Sequence, residues 1–169
     1  MKILIHSKQF AGGPQIFKKR ITTALKKIKG VEIVHSERSN FDVELGFIRN
    51  LLKHKKPIIL RVDGCYYLPN QTAGNKEIRK SILESDLVIF QSEFSKDMVC
   101  NLLKVSPRCD VIINGIDQQY VQSMPTENTI EPDSFVAVAK WRPSKRPISI
   151  IKGFLESDVD KKLYIIGDH

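Results

Sequence analysis

The segment at residues 135–147, FVAVAKWRPSKRP, restricts the possible folds of this chain more than any other segment does. An unbroken apolar run followed by a short loop and a helical pattern is typical of a parallel strand that is buried on both faces. The loop carries four cations, Lys140, Arg142, Lys145 and Arg146. Such a loop lies beside the N-terminus of the next helix, where free backbone N–H groups favour anions. The segment therefore predicts a site for a phosphate group.

A second strand-like segment, KKLYIIGDH at residues 161–169, follows the predicted helix. One strand–helix–strand unit cannot bury both faces of its own sheet. We therefore expect the chain to be an N-terminal fragment of a longer protein, or one half of an assembly.

The composition is that of a globular protein with a net charge of +8 over 169 residues. Basic residues concentrate at residues 18–30, 53–56 and 140–146, which indicates nucleic acid, an anionic membrane surface or a phosphorylated small molecule as the partner. The first two clusters are equally well explained as solvated surface. No run is apolar enough to span a bilayer, and MKILIHS is too short for a secretory signal. Three cysteines at no metal-ligand spacing favour a reduced, cytoplasmic setting.

Strand-like runs alternate with helical patterns, which is typical of parallel βαβ units. The runs cover residues 2–7, 31–36, 57–62, 86–92 and 110–114, and the helical patterns cover residues 14–29, 49–54, 75–84 and 93–104. In the helix at residues 14–29, Lys18 is assigned to the solvent face and Ile16 and Ile28 to the buried face. The predicted fold class is α/β, a doubly wound parallel sheet with an incomplete second domain of the same kind.

The polar stretch at residues 117–133 shows neither a helical nor a strand period and contains Pro125 and Pro132. It predicts a linker between two domains. The first domain is expected to cover residues 1–116 and to be Rossmann-like. Residues 134–169 are expected to form the first strand–helix–strand of the second domain.

Ligands of open parallel sheets bind beyond the carboxyl ends of the strands, so residues there are the first candidates for a site. Gly12 and Gly13 follow the first strand and let the backbone approach a ligand, although a tight turn explains them as well. They match neither the G-x-G-x-x-G spacing nor the Walker pattern. Asp63 follows the strand at residues 57–62, where it could accept a proton from a sugar hydroxyl or only pair with Arg61.

Six segments, taken in order, resemble those of GT-B glycosyltransferases of the large retaining family four, also called group 1. They are GGPQIFKKRI, RVDGCYY, SDLVIFQSEFSK, VIINGID, FVAVAKWRPSKRP and KLYIIGD, and together they span nearly the whole chain. The resemblance implies two Rossmann-like domains that face each other across a cleft. It also implies that the acceptor lies mainly on the N-terminal domain and the nucleotide-sugar mainly on the C-terminal one.

By position, the resemblance assigns Gly12 and Gly13 to the loop that approaches the donor diphosphate. Lys140 and Lys145 match the basic pair that neutralises the diphosphate leaving group. Two fixed cations can stabilise that charge without a metal ion, so no metal and no cofactor are expected.

Two departures from the family pattern affect the predicted site. Asp63 occupies the position at which many members have a histidine, so it is implied to be an acceptor-site or catalytic residue. The glutamate pair that contacts the donor sugar and ribose in the family would lie beyond His169. We therefore expect this chain by itself to be inactive.

The implied reaction is transfer of a hexose from a nucleotide-sugar to a glycan or a lipid-linked acceptor, with retention. The basic segments predict, in addition, peripheral contact with an anionic membrane at its cytoplasmic face. One alternative is a non-catalytic sugar- or phosphate-binding α/β module. A basic nucleic-acid-binding protein is the other, but the aromatic residues do not interleave with the basic ones and no recognition motif is present.

Overall fold

The computed structural model describes residues 1–6, 13–49, 54–116, 118–124 and 130–168. The chain divides into two compact units, unit 1 at Met1–Gly115 and unit 2 at Ile116–His169. No helix in the described part of the chain is long and apolar enough to cross a bilayer.

Unit 1 is built on a six-stranded parallel sheet with the strand order β2-β1-β3-β4-β5-β6. The strands are β1 (Lys2–Leu4), β2 (Glu32–Val34), β3 (Val43–Phe47), β4 (Ile58–Val62), β5 (Leu87–Phe90) and β6 (Cys109–Val111). The helices are α1 (Gly13–Lys26), α2 (Asn75–Leu83) and α3 (Glu93–Leu103). The predicted α/β class with a parallel sheet is confirmed. Because the strand order reverses between β1 and β3, a crevice is expected at their carboxyl ends.

Strand β3 lies in the middle of the sheet, between β1 and β4, and the sequence pattern does not predict it. Glu44 and Gly46 interrupt its apolar pattern. Glu44 is only 1% exposed, and its carboxylate pairs with the imidazole Nε2 of His54. A buried carboxylate is tolerated where such a partner is present, so β3 is an interior strand in spite of its charge.

The core of unit 1 has two apolar clusters. Side chains of β4 and β5 pack against α2 and α3 in the larger one, which contains Leu60, Val62, Ile78, Ile82, Val88, Phe90, Val99 and Leu103. The smaller one joins Ile3, Ile5 and Phe47 to the α1 residues Phe17, Ile21 and Leu25. The helices are therefore held to the sheet by the apolar faces that their period of 3.6 residues creates.

The face that α1 buries differs from the predicted one. Lys18 is buried, with 8% exposure, and its Nζ donates to the backbone oxygen of His6, so the prediction of a solvent-facing Lys18 is wrong. Ile16 and Ile28 are more than half exposed. The buried face of α1 is centred near Ile21, so it includes Lys18 and excludes Ile16. Ile28 lies beyond Lys26, the last residue of α1.

The predictions for α2 and α3 are confirmed to within one residue at their ends. Ser92 caps α3, since its hydroxyl oxygen accepts a hydrogen bond from the backbone N–H of Ser95 at 3.1 Å. Of the short helix predicted at residues 49–54, residues 50–53 lie outside the described residues. Arg49 forms a bridge with Phe47 instead of a helical turn.

Unit 2 contains two parallel strands, β7 (Phe135–Val138) and β8 (Leu163–Ile166), joined through a 3-10 turn at Pro143–Lys145 and the helix α5 (Pro147–Glu156). It also contains the short helix α4 (Gln118–Gln122), where the sequence predicts no regular structure. Five residues are too few to show a helical period, so that prediction is corrected. Residues 117 and 125–129 of the predicted linker lie outside the described residues.

Candidate functional site

The structure describes most of the site residues that the sequence predicts. Gly12 lies outside the described residues, and Gly13 is the first residue of α1. Asp63 directly follows β4 in unit 1. Lys140 and Lys145 lie in unit 2, in the loop between β7 and α5.

Asp63 belongs to a closed set of polar contacts at the carboxyl ends of β4, β5 and β6, which we call the rim network. Its members are Arg61, Asp63, Gln91 and Asn114. Arg61 Nη1 lies 2.5 Å from Asp63 Oδ1, and Arg61 Nη2 donates to Asn114 Oδ1 at 2.9 Å. Asn114 Nδ2 donates to Gln91 Oε1 at 3.0 Å, and Gln91 Nε2 donates to the backbone oxygen of Asp63 at 2.9 Å. The rim network therefore fixes the chain beyond three neighbouring strands.

Arg61 is the centre of the rim network. It is only 5% exposed, and its guanidinium carbon lies 3.5 Å from the centroid of the Phe17 ring of α1. A desolvated guanidinium over an aromatic face is attracted by the ring quadrupole, and the carboxylate of Asp63 compensates its charge. Arg61 thereby links α1 to the carboxyl end of β4 and holds Asp63 at one position.

The Asp63 carboxyl is partly buried, with 27% of its side chain exposed. Burial raises its pKa, and the nearby Arg61 guanidinium opposes that rise without cancelling it. The same burial lowers the pKa of Arg61, which Asp63 in turn opposes. Asp63 therefore combines a fixed position with a carboxyl that holds its proton more strongly than a solvated one. These properties suit a proton acceptor or donor next to a ligand hydroxyl.

Unit 1 is expected to lose stability as the pH rises through the titration of Asp63. Because the folded-state pKa is raised, the folded state binds the proton more strongly than the unfolded chain between the two pKa values. The contribution of Asp63 to the free energy of unfolding is most favourable below its pKa in the unfolded chain and is fully lost above its pKa in the folded state. A carboxyl-carbon NMR titration should give an Asp63 midpoint above that of a solvated aspartate. A midpoint at or below that value would contradict this.

The chain turns sharply at Ile48, directly after β3. Ile48 has φ 66°, and the backbone N–H of Arg49 donates to the oxygen of Phe47 at 2.7 Å. A β-branched residue rarely adopts this conformation, and such strain clusters at functional sites. The N–H of Ile48 also donates to the backbone oxygen of Arg61 at 2.7 Å. The strained turn is therefore connected to the rim network.

Local sequence patterns did not point to every member of this site. Phe17 is placed on the buried face of α1 by its helical period, but its contact with Arg61 is tertiary. Asn114 ends a predicted strand, and its partner Arg61 lies 53 residues earlier. The only local indication was that Gln91 and Asn114 are polar residues at strand ends.

In unit 2 the predicted loop presents its cations to solvent. Lys140, Arg142, Lys145 and Arg146 are all exposed, and none of them forms an ion pair within the described part of the chain. Arg146 has φ 52° and precedes α5, and it offers no side-chain cap to the first N–H groups of that helix. Pro147 has no N–H, and the N–H of Ile150 donates to the backbone oxygen of Arg146 at 3.1 Å. The N–H groups of Ile148 and Ser149 are left without an acceptor within the helix. Cations and helix N–H groups are therefore present together in this loop.

Trp141 holds this loop in place. It is 7% exposed, and its backbone N–H donates to the oxygen of Asp168 at 2.7 Å. Its indole Nε1 is buried and has no hydrogen-bond partner among the described residues. Since Trp141 lies between two exposed cations, its burial restricts the positions that Lys140 and Arg142 can adopt.

No group of histidine, cysteine and acidic side chains in the described part of the chain could hold a metal ion. Comparison with models of known protein families gives no match, and comparison with curated proteins gives none either.

Proposed function

We propose that this chain is part of a glycosyltransferase that transfers a hexose from a nucleotide-sugar to the hydroxyl of a glycan or lipid-linked acceptor. In this proposal, unit 2 contacts the donor diphosphate and unit 1 contacts the acceptor. The observation that carries the proposal is the loop at residues 140–146, with exposed cations at the carboxyl end of β7 and directly before α5. Sugar transfer is proposed because the six ordered sequence segments resemble those of GT-B glycosyltransferases.

The charge of the loop supports a diphosphate as the ligand. A diphosphate leaving group gains negative charge as the bond between sugar and phosphate breaks. Lys140 and Lys145 can donate charge-assisted hydrogen bonds to it, and the N–H groups of Ile148 and Ser149 in the first turn of α5 can donate as well. Because the buried Trp141 holds the loop, its backbone does not have to be ordered when a ligand binds.

The rim network supports an acceptor hydroxyl as the ligand of unit 1. The partly exposed carboxyl of Asp63 can accept a hydrogen bond from such a hydroxyl, and its raised pKa favours proton exchange nearer to neutral pH. Arg61 contacts the carboxyl at Oδ1, and Asn114 in turn accepts a hydrogen bond from Arg61, so the carboxyl is held from one side. This part of the proposal does not depend on a metal ion.

Replacing Lys145 with glutamine is expected to weaken the binding of a nucleoside diphosphate about tenfold, and replacing Lys140 as well to weaken it further. The cause is the loss of one charge-assisted hydrogen bond per substitution. Isothermal titration calorimetry of the 169-residue chain with UDP and with GDP measures it. Lys152→Gln is the matched control, because Lys152 is an exposed lysine of the same unit on α5.

The outcomes of this titration separate the proposal from its alternatives. Failure of both diphosphates to bind, or equal weakening by the Lys152 control, would contradict a diphosphate site at the loop. Binding together with sugar transfer, assayed with a panel of nucleotide-sugars and mixed glycan acceptors, supports the glycosyltransferase. Diphosphate binding without transfer from any nucleotide-sugar of the panel would favour the non-catalytic phosphate-binding module.

A further inference from the structure

Helix α2 and its surroundings in unit 1 form a groove that the proposed function does not use. One hollow of about 340 Å³ lies between α2 and α3, lined by Tyr67, Leu102, Leu103 and the first turn of α2. A second, of about 390 Å³, follows the outer face of α2 past Leu83. Lys76 and Arg79 line both hollows. We call the two hollows together the α2 groove.

The α2 groove combines exposed apolar walls with uncompensated positive charge. Tyr67, Leu83 and Leu102 are 67%, 58% and 49% exposed, so the two neighbouring hollows have exposed apolar walls. Glu84 is the one acidic residue that lines the groove. Its Oε1 lies 3.8 Å from Lys80 Nζ, so it offsets the charge of that lysine. The charges of Lys76 and Arg79 remain available between the two apolar areas.

The walls of the α2 groove are held in place by hydrogen bonds. The side chain of Asn75 accepts from the backbone N–H of Tyr66 at 2.8 Å and donates to its oxygen at 2.7 Å, which fixes the segment that carries Tyr67. Arg79 Nε donates to the backbone oxygen of Leu103 at 3.0 Å, so its guanidinium is held between the hollows. A pre-formed surface of this kind loses little entropy when a partner binds.

We propose that the α2 groove binds an acidic peptide segment of a partner protein, with apolar residues on both sides of the acidic ones. The acidic side chains pair with Lys76 and Arg79, and the flanking apolar side chains fill the hollows beside Leu102 and Leu83. The charge is complementary, since Lys76 and Arg79 line both hollows and neither forms an ion pair within the described part of the chain. A peptide fits better than a membrane surface because the apolar residues and the two cations line hollows that a side chain can enter. This inference is independent of the proposed glycosyl transfer.

Selection from a phage-displayed library of random peptides against the full chain tests the proposal. The expected result is enrichment of sequences in which acidic residues lie between large apolar ones. Synthetic copies of the enriched peptides are expected to bind Lys76→Glu at least about tenfold more weakly, because the reversed charge repels the acidic side chains. Leu102→Ser is expected to weaken the same peptides, since it removes one apolar wall.

The variants are chosen so that misfolding does not imitate a loss of binding. Lys76 lies in the first turn of α2, where an acidic side chain is favoured by the helix dipole, so Lys76→Glu keeps the fold. Lys19→Glu makes the same charge change on an exposed position of α1 and is expected to bind the peptides as the wild type does. Failure to enrich any consensus, a consensus without acidic residues, or equal weakening by Lys19→Glu overturns the proposal. Binding of anionic lipid vesicles that depends on Lys76, with no peptide consensus, would identify a membrane surface instead.

Discussion

Replacing Asp63 with alanine is expected to destabilise unit 1 by about 3 kcal/mol. The guanidinium of Arg61 has 6% side-chain exposure and would lose its only carboxylate partner within the described part of the chain, at 2.5 Å. An uncompensated charge in a buried position costs several kcal/mol. Removal of the Asp63 carboxylate also removes the desolvation that raises its pKa, which offsets part of this cost and favours the lower end of the range. Hydrogen exchange of the β4 and β5 amides measures the change in unit 1 without interference from unit 2.

Two further variants separate the ion pair from simple loss of a side chain. The double variant Arg61→Met/Asp63→Ala removes both charges, so it is expected to be more stable than Asp63→Ala although it has one substitution more. Glu93→Ala breaks an exposed pair with Lys96 and should change stability by less than about 1 kcal/mol. If Asp63→Ala changed stability no more than Glu93→Ala does, the rim network would not depend on this charge pair.

The sequence predicted those buried strands that consist of a continuous run of apolar residues. Strands β4 and β5 are of this kind, because both faces of an interior parallel strand are covered. Strand β3 is covered in the same way but contains Glu44, whose carboxylate is paired with the imidazole of His54, ten residues later. A pattern of local hydrophobicity contains no information on such a partner. For the same reason the burial of Lys18 on α1 could not be predicted.

For the candidate site, the sequence predicted positions and not contacts. Asp63, Lys140 and Lys145 were proposed because they follow strands of a parallel sheet. In the structure Asp63 directly follows β4, Lys140 lies just after β7, and Lys145 ends the 3-10 turn before α5. The rim network additionally needs Phe17 and Asn114, which come from elements far from Arg61 along the chain. Which polar residues meet at a sheet edge depends on strand order and register, and these are fixed only by the folded chain.

In unit 2, replacing Gly167 with alanine is expected to cost about 3 kcal/mol and to disrupt the end of the β7–β8 pair. Gly167 has φ 130°, and a Cβ there would lie 1.8 Å from the backbone oxygen of Ala139. Hydrogen bonds on both sides hold the two backbones together, from Ala139 N to Ile166 O at 3.1 Å and from Trp141 N to Asp168 O at 2.7 Å. Neither backbone can move aside without breaking one of them.

The single tryptophan of the chain makes this change directly measurable. Trp141 is the one buried residue among those described in unit 2, so its fluorescence is expected to shift to longer wavelength in Gly167→Ala. Gly153→Ala is the matched control, because a Cβ at this position of α5 meets nothing within 4 Å. It should stabilise α5 by about 1 kcal/mol through its helix propensity and leave the fluorescence unchanged. The same chemical change is thus expected to have opposite effects at the two glycines, and an equal effect at both would contradict the close approach at Gly167.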